Sequence, residues 1–281
     1  MWLSLIVTGF RNVYKVQIRH HGMPTSIAAR RLDRRHGQGD IEFWTEISVL
    51  SSLSNDYIVE LIGYVDEQDE KIIINRDCAK GSVLMYLSDP TLTWRDRLRI
   101  STGLGCAINY IHHELKQGYH IIHRNINTFT ILLNNNWWPK LSGFEFCIKH
   151  PVDRRNQVFL CDEAIGTQGY MDPADLKYGG VTSKSDIYSL GVVLFELLCR
   201  RKAKDDQDNN QLLASLAKFH YKNGTLQDII HPDLWSQMDQ ESFKCFSKVA
   251  YSCLKEDRTQ RPNMELVLNL VGICVLIWIE K

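Results

Sequence analysis

Residues 121–146 read IIHRNINTFTILLNNNWWPKLSGFEF, and the order of polar and apolar types in this stretch decides the fold. A His123-Arg124 pair opens a polar loop, Ile131-Leu132-Leu133 reads as a short apolar strand, and Phe144 closes the stretch. The residues that follow offer little acid, base or ligand strength. Asn125 and Asn127 carry amides, which have no usable basicity near neutral pH. Thr130 offers a single hydroxyl oxygen and Gly143 offers no side chain, whereas a hard cation such as Mg²⁺ wants carboxylate oxygen.

On the N-terminal side of this stretch the pattern is β-rich. VYKVQI at 13–18 and TSIAARRL at 25–32 are split by a turn at Gly22 to Pro24 and read as a hairpin. Residues 39–53 place Ile41, Trp44 (or Phe43), Ile47/Ser48 and Leu50/Ser51 at near-helical spacing. Strands are expected at 57–65 and 70–76 around a turn at 66–69. After Gly81 the pattern turns helical. Trp94, Leu98, Leu104, Ile108 and Ile111 form a stripe over 94–115, and DIYSLGVVLFELLC at 186–199 is apolar almost all round, the mark of a helix buried on every side. Further helices fit 210–221, 240–254 and 262–271, with a polar loop at 202–211. A β-rich lobe followed by a helical lobe is an α+β arrangement.

At 281 residues the chain can bury one large two-lobed core. Hydrophobic content of 44% and charged content of 23% are those of an ordinary globular domain. The formal net charge is zero, which gives no case for nucleic acid as a partner. Arg30, Arg31, Arg34 and Arg35 lie close to Asp33, Asp40 and Glu42 and read as a solvated mixed-charge face. Eight cysteines form no CxxC pair and no zinc-like grouping, so they are expected to be small buried hydrophobes in a reducing compartment. MWLSLIVTGF lacks the features of a signal peptide. From Leu266 to Ile279 the chain is nearly all apolar, short of the roughly 18–20 residues that cross a bilayer. The reading is a final helix running into a tail, with a tail anchor as the alternative.

The motifs and their order resemble the protein kinase fold over nearly the whole chain. They are most similar to the cytoplasmic domains of plant receptor-like kinases, the group that includes the Pelle kinases. IAARRLD matches the strand that carries the family's lysine, and GSVLMYL matches the segment after the hinge. GTQGYMDP, SKSDIYSLGVVLFELL, RPNM and GTLQDIIHPDL follow in the family's order. The resemblance implies a protein-kinase-like domain over 1–280: an N-lobe of about 1–76, a hinge of about 77–81, a C-lobe of about 82–271 and an apolar tail of about 266–281. It also implies roles. Asn125 stands where the catalytic Asp would be and Asn127 where a phosphate-binding Lys would be, while Thr130 and Gly143 replace the metal ligands. Of the glycine-rich loop only Gly9 remains, near Phe10. Val13, Ala28 and Leu132 match the residues that sandwich adenine; Arg30 replaces the strand lysine and could pair with Glu46. Leu50, His123 and Phe144 match a stacked spine, and Asp186 matches the residue that fixes the catalytic-loop backbone. The hinge INRDC is more polar than usual, which makes the adenine slot less hospitable. Ala174 replaces a Glu, which would leave Arg261 without its partner.

These departures point to a catalytically dead kinase-like domain that acts as a scaffold or allosteric signalling partner, with an active receptor-like kinase among its partners. No cofactor is required on this reading: ATP binding is weak and Mg²⁺ is not expected. Its location is cytoplasmic, peripheral to the plasma membrane in one version. The rivals are a Ser/Thr kinase of unorthodox chemistry, rescued by Glu145, Asp153 or Asp162, a metal-independent ATP sensor, and a decayed copy that barely folds.

Overall fold

The computed structural model describes residues 3–8, 11–32, 39–67, 70–161, 164–204 and 211–279. Gly9, Phe10, Arg34, Arg35 and Asp162 lie outside the described residues. The N-lobe is one antiparallel five-stranded sheet. Its strands are β1 (Leu3–Thr8), β2 (Arg11–His20), β3 (Met23–Arg31), β4 (Leu61–Glu67) and β5 (Glu70–Arg76), in the spatial order β1-β2-β3-β5-β4. The β2–β3 turn is tighter than expected. His21 and Gly22 both have positive φ (49° and 80°), the two-residue turn whose twist suits a hairpin, so Met23 and Pro24 join the ladder opposite His20 and Arg19.

Strand register decides what faces the lower lobe. Val13 lies opposite Arg30 and Lys15 opposite Ala28, while Ala28 lies opposite Asn75 across β3–β5. Alternation then puts these five side chains on one face of the sheet. Arg30 is therefore buried, whereas Arg31 points outward and pairs with Glu70. The mixed-charge face expected for both arginines holds for Arg31 alone.

Helix α1 (Asp40–Leu50) is capped by Gly39, whose N–H donates to the Glu42 carboxylate at 2.8 Å. Its buried face is Phe43, Glu46, Ile47, Val49 and Leu50. Ile41, at 78% exposed, and Trp44, at 43%, point out instead of in. The helix is rotated this way because Glu46 has to reach Arg30 beneath the sheet. Strand β4 starts later than expected because Tyr57 to Val59 are taken by the lower lobe: the Val59 N–H donates to Leu141 O and the Leu141 N–H to Tyr57 O.

The chain crosses between the lobes after Arg76. It enters β6 (Gly81–Ser82), α2 (Val83–Tyr86) and α3 (Trp94–Asn109), followed by β7 (Tyr119–Ile122), β8 (Ile131–Leu133), β9 (Pro139–Leu141), β10 (Ile148–Pro151) and β11 (Phe159–Leu160). Then come α4 (Pro173–Tyr178), β12 (Gly180–Val181), α5 (Ser183–Cys199), α6 (Leu213–Asn223), α7 (Pro232–Trp235), α8 (Gln240–Cys253) and α9 (Met264–Ile279). The stripe expected on α3 is the core: Trp94, Leu98, Leu104, Ile108 and Ile111 are all fully buried. The α-helical spacing stops at Asn109, and a wider turn over Tyr110–Glu114 carries His112 inward. Helix α5 is buried on all sides, as its sequence requires.

The apolar C-terminal stretch is one helix, not a helix and a tail. Helix α9 runs to Ile279 and buries Met264, Val267, Val271 and Cys274 against the core, leaving Leu266, Ile273, Leu276 and Ile279 exposed. Among the described residues no helix is long and apolar enough to cross a membrane.

Candidate active site

A cleft with about 860 Å³ of empty space, part of it open to solvent, lies between the sheet and the lower lobe. It brings together seven of the residues expected at the site: Val13, Ala28, Arg30, Glu46, Thr130, Leu132 and Gly143. Lys15 and Asn75 line it as well, for the register reason given above. Lys15 could have been placed there from the sequence, since it is two residues from Val13 and shares its face. Its ammonium sits 2.9 Å from Asp77 and donates to the carbonyls of Cys78 (3.3 Å) and Ala79 (3.1 Å), tying β2 to the interlobe crossing. Asn75, Arg76 and Asp77 line the cleft, as the polar hinge predicts, and Arg76 also pairs with Glu60 at 2.5 Å.

Arg30 forms a buried ion pair with Glu46. Burial would push the guanidinium down, but Glu46 and then Glu145 outweigh it and hold Arg30 above its ordinary value. Glu145 is the carboxylate best placed to substitute for the missing one at 143. It is 3% exposed, and Oε2 lies 3.6 Å from where a Cβ on Gly143 would stand. Its charge adds to that of Glu46 in holding the Arg30 guanidinium charged.

Gly143 has a φ of 84°, and a Cβ there would meet Thr130 Cγ2 at 2.7 Å. Both the backbone and the neighbour therefore select glycine. Gly143→Ala is expected to lose about 2–4 kcal/mol in chemical denaturation, from the left-handed backbone and from overpacking. Thr130→Ser in the same background removes the opposing methyl and recovers about 1 kcal/mol or more of that loss. Equal losses in the two backgrounds would mean that the methyl contact is irrelevant.

The catalytic-loop positions close on one another. Asn127 Nδ2 donates to Asn125 O (3.0 Å), to Asn125 Oδ1 (2.9 Å) and to Thr167 Oγ1 (3.1 Å), and Thr167 Oγ1 donates to Asn125 Oδ1 at 2.8 Å. On its other side, Asn127 Oδ1 accepts from the N–H groups of Phe129 (2.9 Å) and Thr130 (3.0 Å). Thr130 turns its hydroxyl onto Asn125 O at 2.9 Å, leaving its methyl toward Gly143. The cleft thus meets backbone-directed side chains where a kinase would need a proton acceptor and metal ligands. Thr167 is exposed and joins this network through its hydroxyl. Tyr170 is buried, its hydroxyl donating to Glu196 at 2.8 Å.

The architectural residues sit where the sequence put them. His123 and Phe144 meet edge to face with ring centroids 4.6 Å apart, and Phe144 shares one buried cluster with Leu50. Asp186 accepts from the backbone N–H groups of His123 (2.8 Å) and Arg124 (2.9 Å) and lies 2.8 Å from His112 Nε2. Burial alone would raise this carboxyl, but His112 and the loop N–H groups hold it below the usual carboxylate range. His112 was not anticipated, because only the widened turn after α3 aims it inward.

Arg261 is not orphaned. Its guanidinium grips Asp172 with two bonds, 2.5 and 2.8 Å, and both side chains are fully buried. The expectation built on Ala174 is therefore corrected: Asp172, two residues earlier, supplies the carboxylate. It also caps α4, accepting from the Ala174 N–H at 3.0 Å. An Asp ahead of a helix-starting Pro173 was a legible capping signal.

Comparison with known proteins gives a consistent answer. The sequence profile of the protein kinase domain matches residues 9–271. Receptor-like protein kinase FERONIA of Arabidopsis thaliana is 36% identical over 267 residues, covering 93% of this chain and 29% of its own length. ANXUR2 from the same plant is 37% identical over 267 residues, covering 93% of this chain and 30% of its own length. THESEUS 1, also from Arabidopsis thaliana, is 36% identical over 270 residues, covering 93% and 30%. The chain spans about three tenths of the length of the curated relatives it matches. With the two-lobed α+β architecture, the interlobe cleft and these matches together, the chain belongs to the protein kinase domain family, on its plant receptor-like kinase branch.

Proposed function

We propose that this chain is a pseudokinase: a receptor-like-kinase domain that no longer transfers phosphate and instead serves as a scaffold or allosteric partner of other signalling proteins, an active receptor-like kinase among them. The observation that carries the reading is the closed Asn125–Asn127–Thr167 network beside a Gly143 that has no room for a side chain. A kinase needs a group that takes the proton of the attacking hydroxyl and ligands that hold Mg²⁺ against the phosphates. Here the first is an amide with its oxygen already engaged, and the second are a threonine hydroxyl aimed at backbone and a glycine. An interaction role keeps the fold and spends none of these groups. On this reading its place is the cytoplasm, peripheral to the plasma membrane.

The cleft itself supports a second, compatible property, weak nucleotide binding without metal. Its apolar walls Val13, Ala28 and Leu132 and its buried Arg30–Glu46 pair are in place. Melting the protein with millimolar ATP, in Mg²⁺ and in EDTA, tests the chemistry. The expected result is a small rise or none, identical under both conditions. A rise that requires Mg²⁺ would show that some other group has taken over the metal and would overturn the pseudokinase reading.

A further inference from the structure

The search for chemistry outside the cleft leads to the packing of α8 against α9. Cys245, on α8, and Cys274, on α9, place their sulfurs 2.7 Å apart, against about 2.05 Å in a disulfide. Both thiols also address the same acceptor, the carbonyl of Leu270, from 3.7 and 3.1 Å. A further bond holds the backbone in place: Ser242 Oγ, one turn before Cys245, donates to Cys274 O at 3.1 Å. The two helices are thus fixed with the sulfurs facing each other, and a small rotation of the side chains would bring them to bonding distance. Sequence reading could not find this pair. The two residues are 29 positions apart and belong to no CxxC or similar grouping.

We propose that Cys245 and Cys274 are a redox pair that forms an α8–α9 disulfide when a hydroperoxide reaches the protein. Cys245 is partly exposed and Cys274 is fully buried, which assigns their roles. The Cys245 sulfur attacks the distal oxygen of the peroxide, whose O–O bond breaks; the thiol becomes a sulfenic acid and an alcohol or water leaves. The Cys274 sulfur then attacks the Cys245 sulfur. The S–S bond forms, the S–O bond breaks, and water carries away the hydroxyl with the Cys274 proton. Two thiols are oxidised by two electrons and one peroxide is reduced. Burial first, and Cys245 second, raise the Cys274 thiol, so it is not the sulfur that meets the peroxide first; its contact with Cys245 is what lets it resolve the sulfenic acid. The bond would close a loop that contains Arg258 and Arg261, and so would fix the last helix to the segment that grips Asp172.

The test treats the purified full chain with hydrogen peroxide, quenches free thiols with an alkylating agent and maps peptides by mass. The expected product is a Cys245–Cys274 cross-linked peptide lighter by two hydrogens, with a melting midpoint raised by about 5 °C or more through closure of the loop. Dithiothreitol reverses both. The Cys245→Ser variant, altered at the partly exposed position, shows neither the cross-link nor the shift. The proposal is overturned if peroxide leaves both cysteines open to alkylation. It is equally overturned if Cys245 goes to sulfinic acid with no cross-linked peptide.

Discussion

Purified wild-type protein is expected to phosphorylate a Ser/Thr peptide no faster than about one event every few hours, some 10⁵-fold below an ordinary kinase turning over about 10 times per second. Loss of a positioned proton acceptor accounts for roughly 10²–10⁴ of this, and loss of the metal for several kcal/mol more. Glu145, the carboxylate beside Gly143, is buried and adds its charge to that of Glu46 around Arg30, so Glu145→Gln is expected to leave the residual rate unchanged. Asn125→Asp alone should also do nothing, since the new carboxylate would accept from the same Thr167 and Asn127 donors with no metal to work with. The triple variant Asn125→Asp, Thr130→Asn, Gly143→Asp is different. It returns the two carboxylates together, with an amide in place of the Thr130 methyl beside position 143 and a cost in stability from the left-handed backbone there. A gain of about 10²-fold or more over wild type is expected from it, the lower end of what a restored proton acceptor supplies. A peptide assay with radiolabelled ATP reads all four proteins. Several turnovers per second from the wild type would end the pseudokinase proposal.

Asp172→Ala is expected to destabilise the domain by about 3–5 kcal/mol, because it strands a fully buried guanidinium whose charge was paired. For a chain of this size that lowers the melting midpoint by about 10 °C. Arg261 would keep the carbonyls of Lys255 and Lys184, which is why the loss stops short of unfolding. Arg258 loses a partner in the same change, since it donates to Asp172 at 3.1 Å. The pH dependence has a definite sign. Burial alone would raise the Asp172 carboxyl, but Arg261, with the Ala174 N–H and Arg258, holds it below the usual range. A depressed folded value means stability that is present above the unfolded value and lost only as pH falls through the folded one. The part of the gap that Asp172 itself supplies should therefore stay full above its unfolded value and close in stronger acid. Asp175, pushed up to about 6 chiefly by burial, titrates above that range. Ala174→Glu, in contrast, should add nothing, as Arg261 already has its carboxylate. Urea denaturation of the three proteins settles this; a stabilising Ala174→Glu would mean that Arg261 is short of a partner after all.

Much of the fold was written in local pattern. The hairpin strands, the α1 segment, the α3 stripe and the all-round apolar α5 follow from periodicities that a short window contains. The same holds for the weakness of the catalytic loop, since an amide, a hydroxyl and a missing side chain are weak acids, bases and ligands in any surroundings. What local pattern left open was direction. Ile41 looked inward-facing because it is large and apolar, yet it points out; of the alternatives Trp44 and Phe43 the structure buries Phe43, and Ile47 and Leu50 are buried as expected. The rotation of α1 answers to Glu46 and Arg30, sixteen residues apart.

Residue types along the chain determined that this protein has the kinase frame, with amides at 125 and 127, a hydroxyl at 130 and no side chain at 143, because ionisation and ligand strength are properties of the side chain itself. Tertiary structure alone decided that Lys15 closes on the hinge, that Glu46 meets Arg30, that Asp172 holds Arg261, and that Cys245 meets Cys274. Each of these depends on which surfaces are pressed together across long separations in sequence, and burial is what turns such a meeting into a paired charge or a reactive contact.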